Sequence, residues 1–73
     1  MVAHLPVLSG EEMIRLLKKL GYDVIRQRGS HVRMRHPAGR DTLTVPLHKE
    51  LAPGTLKAIL NQAKTTIEEL STF

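Results

Sequence analysis

Met13, Leu16, Leu17 and Leu20 recur at the i, i+3, i+4, i+7 spacing of a helix that buries one stripe. Glu11, Glu12, Arg15, Lys18 and Lys19 fall largely outside that stripe. Just upstream, Ser9-Gly10-Glu11-Glu12 has the form of a capping box, in which the Ser9 and Glu12 side chains each satisfy a backbone N–H left unpaired by the first turn. The pattern predicts a helix that opens at Ser9, with Gly21 supplying the left-handed residue that closes it.

From Tyr22 to Pro46 the pattern shifts to short alternations rich in β-branched residues, broken at Gly29-Ser30 and at Pro37-Ala38-Gly39. Short strands joined by turns are predicted. Strand side chains alternate between faces, so Val32 and Met34 share one face and His31, Arg33 and Arg35 the other. Leu43 and Val45 against Thr42 and Thr44 repeat the alternation, and Pro46 is expected to end the ladder by removing a donor. The first strand is harder to phase, because Val24 and Ile25 are adjacent. After a loop from Leu47 to Ala52, Pro53 suits a first helical turn, and Leu56, Ile59, Leu60 and Ala63 form a second stripe. Thr66-Ile67-Glu68-Glu69 repeats the capping-box form and starts a last short turn, with Ile67 and Leu70 closing one edge of the core.

The order α-β-β-β-α-α predicts an α+β fold, a three-stranded antiparallel sheet with helices over one face. The opposite face stays in water and carries His31, Arg33 and Arg35. With no repeat, linker or low-complexity stretch, residues 1–73 are read as one domain with its core at about 9–70. A chain this short buries only roughly 60% of its unfolded surface, so modest stability is expected. It has no cysteine, which suits a reducing compartment and argues against a disulfide scaffold; the cytoplasm is the expected location. No apolar run approaches the ~20 residues of a membrane span, and Met1 to Gly10 lacks the pattern of a signal peptide.

Charge narrows the reading further. The formal net charge is +4, which favours anionic partners, but its placement says more than its sum. Between Val24 and Arg40 lie Arg26, Arg28, Arg33, Arg35 and Arg40 together with His31 and His36, and no acidic residue. Several guanidinium groups on one sheet face can grip phosphates and release counterions from a polyanion. The competing readings are a solvated strand face that blunts edge pairing and a surface for an acidic protein. RNA fits better than duplex DNA, since no helix has the basic face of a major-groove reader. With one Tyr and one Phe in the chain there is almost no stacking platform, so contacts should go to backbone and shape.

His31 follows the Gly29-Ser30 turn and sits among the arginines. RNA cleavage needs a base for the 2′-hydroxyl proton and cations for the charged phosphorane, and an imidazole exchanges protons near neutral pH. Taken alone, an exposed histidine is more often plain polar surface. A metal site is not expected: His31 and His36 have opposite parity, and His4 and His48 lie elsewhere in the chain. His36, beside Pro37, and His48 read as turn and loop residues, and Ser30 as a turn former with no third group to build a triad.

Arg26-Gln27-Arg28-Gly29-Ser30-His31, Val45-Pro46-Leu47-His48-Lys49-Glu50-Leu51, Gly54-Thr55-Leu56 and Ile59-Leu60-Asn61-Gln62-Ala63 together resemble the HicA family, small messenger-RNA interferases of type II toxin–antitoxin systems. The resemblance runs from Ser9 to about Leu70. It implies a double-stranded-RNA-binding-like α-β-β-β-α fold, a catalytic His31 and a HicB-type antitoxin that covers the same face and blocks RNA. It implies neither a metal nor an organic cofactor. Lys64 departs from the family, which often has glycine after Gln-Ala, and the stretch before Ser9 is longer than in the shortest members.

The resulting expectation is a metal-independent endoribonuclease with His31 as general base or acid and with Arg28, Gly29, Ser30, Arg33, Arg35 and Lys49 binding RNA. The rivals are a non-catalytic RNA-binding module of the same fold and an antitoxin- or operator-binding component.

Overall fold

The computed structural model describes residues 7–39 and 42–70. Helix α1 spans Gly10–Lys19, strands β1, β2 and β3 span Asp23–Arg28, His31–Arg35 and Leu43–Pro46, and helices α2 and α3 span Pro53–Gln62 and Ile67–Leu70. The strands form one antiparallel sheet in the order β1-β2-β3. This is the predicted α+β arrangement.

Helix α1 begins as the sequence indicates. The Glu12 N–H donates to Ser9 Oγ at 3.1 Å and the Ser9 N–H donates to Glu12 Oε1 at 2.9 Å. The hydrogen bond from the Ser9 N–H, and after it one from the Ser9 side chain, hold the Glu12 carboxyl below its ordinary pKa. At the other end Gly21 takes φ +102°, its N–H donates to the Lys18 carbonyl, and the Tyr22 N–H donates to the Leu17 carbonyl. This is a complete Schellman ending.

Helix α2 ends the same way, with Lys64 N–H on the Asn61 carbonyl and Thr65 N–H on the Leu60 carbonyl, but the left-handed residue is Lys64 at φ +54°. The departure from the family thus falls where a side chain is strained and glycine is not. Lys64→Gly is expected to raise stability by about 1 kcal/mol, read as a melting temperature higher by roughly 4–8 °C. An unchanged melt would mean that this ending contributes nothing.

The core lies between the helices and one sheet face. Met13 and Leu17 of α1, Val32 and Met34 of β2, Leu43 and Val45 of β3, and Leu56, Ile59 and Leu60 of α2 are buried together with Tyr22, Leu51, Ala63 and Leu70. Both predicted helical stripes therefore face the core, Leu16 and Leu20 being partly buried at its margin. Gly10 is also buried, because α1 enters directly over β3: a Cβ there would overlap the Pro46 carbonyl oxygen.

Strand β1 is exposed along its whole length. Its register shifts between Val24 and Arg26: Val24 faces Met34, Arg26 faces Arg33, and the pairing skips Ile25. The extra residue is a β-bulge. It accounts for the adjacent apolar pair, which is left 42% and 46% exposed at the sheet edge.

Pro46 ends β3 as expected, but not for want of a donor. The Leu47 N–H donates to the Ser30 carbonyl at 2.6 Å, so the pairing of His31 with Pro46 is the non-hydrogen-bonded kind. The missing N–H would have faced away from β2.

Candidate active site

Residues on the open face stand in rows across the strands. Arg28, His31 and Pro46 form the row nearest the β1–β2 turn, Arg26, Arg33 and Thr44 the next, and Asp23 and Arg35 a third. The first row is set by a two-residue turn. Gly29 has φ +58°, and Ser30 is not in the left-handed region, which is the pattern of a type II′ hairpin and requires glycine at the first central position. A Cβ on Gly29 would meet nothing within 4 Å, so backbone conformation alone calls for glycine. Gln27 Nε2 donates to the Gly29 carbonyl at 3.2 Å, and the Leu47 N–H holds the Ser30 carbonyl. The turn that presents His31 is therefore anchored from β1 and from the residue that follows β3.

Arg26, Arg28, His31, Arg33 and Thr44 line one open cleft of about 180 Å³. No carboxylate is among the described residues that line it. Such a cleft can take a phosphate: guanidinium groups supply fixed donors and positive charge, and an imidazole beside them can move a proton.

Of the residues singled out from the sequence, His31, Arg28 and Arg33 meet in this cleft, while Gly29 and Ser30 form its turn. Arg35 does not line it and stands opposite Asp23. Lys49 lines a separate concavity with Ser9, Glu11, Leu47 and His48. Arg26 and Thr44, absent from the sequence-derived set of site residues, belong to the cleft. Arg40, Asp41 and His4 lie outside the described residues.

His36 has a structural task. Its Nδ1 accepts from the Ala38 N–H at 3.0 Å, which leaves Nε2 to donate to the Leu20 carbonyl at 2.9 Å, and its ring meets Tyr22 edge-on at 5.1 Å. It ties the end of β2 to the end of α1. Among the described residues no group of three or more His, Cys, Asp or Glu is placed to hold a metal ion, and no helix is long and apolar enough to cross a membrane.

The family model for the HicA toxin of bacterial toxin-antitoxin systems matches residues 10–65. The chain belongs to the HicA toxin family. The match opens at the buried Gly10 of α1, spans the whole sheet and α2, and closes after the strained Lys64. Every residue of the His31 cleft in this HicA chain lies inside it. The family makes this chain the toxin member of a toxin–antitoxin pair. No curated protein matches it.

Proposed function

We propose that this HicA toxin is an endoribonuclease that cuts messenger RNA, with His31 as general base and acid. The observation that carries the reading is the convergence of His31 with Arg26, Arg28 and Arg33 in one cleft on the face away from the helices. In the proposed reaction the His31 imidazole takes the proton of a ribose 2′-hydroxyl, and the 2′-oxygen forms a bond to the adjacent phosphorus. The bond from phosphorus to the 5′-oxygen breaks, and that oxygen leaves with the proton that the His31 imidazolium gives back, so the imidazole ends the step neutral. The products are a 2′,3′-cyclic phosphate and a 5′-hydroxyl. Arg28 and Arg33 hold the phosphate and neutralise charge on the phosphorane, while Arg35 and Lys49 touch flanking backbone.

Backbone recognition is favoured over base stacking, since Tyr22 is only 1% exposed and lies in the core. The chemistry asks for no metal, and the protein would work in the cytoplasm. A HicB-type antitoxin covering the open face would block RNA without altering the fold.

The test is incubation of the purified protein with a long single-stranded RNA in excess EDTA, beside a strand of the same sequence with 2′-deoxyribose throughout. Cleavage of the RNA alone, leaving cyclic phosphate and 5′-hydroxyl ends, is expected. Binding without cleavage would replace this reading with that of an RNA-binding module. Cleavage that EDTA abolishes would remove metal independence.

A further inference from the structure

The bulge decides which β1 side chains reach the open face. With unbroken pairing after Val24 and Met34, Ile25 would oppose Arg33, and Arg26 would oppose Val32 on the core side. The unpaired Ile25 shifts the alternation by one, so that Arg26 and Arg28 point to the open face. Arg26 then stands opposite Arg33, and both line the cleft that holds His31.

Two like charges opposed on neighbouring strands oppose folding. No carboxylate is among the described residues lining the cleft to offset them, and only Thr44 continues their row into β3. A tetrahedral oxyanion bridging the two guanidinium groups would turn that repulsion into a pair of charge-assisted hydrogen-bond sets. Bulges commonly re-aim a side chain beside a site, and this one brings the second guanidinium.

We propose that Arg26 is a further catalytic residue, forming with Arg33 a two-guanidinium seat for the phosphate on which His31 acts. The role rests on the nuclease reading given above; the anion seat itself does not. Arg26 and Arg33 contact non-bridging phosphate oxygens, and their grip tightens as negative charge grows on the phosphorane. The repulsion between them is a stability cost retained for function.

The experiment compares wild type, Arg26→Gln, Arg26→Lys and Arg15→Gln, the last removing the same charge from the exposed side of α1. Thermal unfolding is followed at low ionic strength while inorganic phosphate is added, against sodium chloride of equal ionic strength. Without phosphate, Arg26→Gln should melt above wild type. Phosphate should raise the wild-type and Arg15→Gln melts more than chloride does, and should raise Arg26→Gln little more than chloride. In cleavage, Arg26→Gln should lower kcat by about 10²-fold with KM for RNA changed far less, and Arg26→Lys should recover part of the loss. An Arg26→Gln protein that gains from phosphate as wild type does, or cleaves at the wild-type rate, overturns the proposal. Absence of cleavage by wild type would defeat the nuclease reading separately, and the phosphate titration would still decide the seat.

Discussion

His31→Ala should bind a long single-stranded RNA about as tightly as wild type and cut it about 10²–10⁴-fold more slowly. The two effects separate because they arise from different groups. Affinity for a polyanion follows the number of phosphates neutralised, and the substitution leaves Arg26, Arg28, Arg33, Arg35 and Lys49 in place. The side chain is exposed at the start of β2, and its backbone pairing with Arg28 and Pro46 survives truncation, so stability should change by no more than ~0.5 kcal/mol. Proton transfer has no such reserve, since His31 is the only imidazole among the described residues lining the cleft. Single-turnover cleavage and binding measured at one salt concentration distinguish the cases. Retained cleavage would move the proton transfer to another group, and equal loss of binding and cleavage would make His31 a recognition residue.

Gly10→Ala should cost stability at or beyond the upper end of the ~1–3 kcal/mol usual for overpacking, and lower the melting temperature by more than ~10 °C. Helix propensity alone gives the opposite sign, because alanine is the better helix former. Packing decides here. The new Cβ would overlap the Pro46 carbonyl oxygen and lie 2.9 Å from Leu47 Cα, and neither backbone atom can swing aside. Relief would require α1 to lift from β3, giving up the Gly10 N–H to His48 carbonyl bond at 2.9 Å and the Leu51 N–H to Leu8 carbonyl bond at 2.7 Å. Pro46 is also the cross-strand neighbour of His31, so the shift would reach the site. Circular-dichroism melts beside Gly54→Ala, where a Cβ meets nothing within 4 Å, isolate the effect of the clash. Equal melts for the two variants would show that α1 can slide without loss.

Where burial imposes a period, the chain could be read residue by residue. Strand β2 lies between two partners with one face on the core, so Val32 and Met34 against His31, Arg33 and Arg35 is a clean alternation in both sequence and structure. Strand β1 has a partner on one side only and is exposed throughout, so burial left no period to read. The adjacent Val24 and Ile25 were the visible trace of its bulge. Resetting the alternation after that pair would have placed Arg26 with Arg28 on the open face and found the missing member of the cleft. Thr44 was already expected to face outward, but its membership of the site depends on register across β2 and β3. The close approach of Gly10 to Pro46 joins residues distant in the chain, and no local pattern announces it. Lys64 could be flagged as a departure, while its left-handed conformation became apparent only with the helix ending in place.

The position of Pro46 also bears on how copies of this protein can join. Within β3, Thr44 and Pro46 turn their backbone groups away from β2; Pro46 has no N–H to offer, and Gly10 lies against its carbonyl. That rim presents little for another strand to grip. The opposite rim, β1, remains open. Pairing between copies is therefore favoured at the β1 rim over the β3 rim.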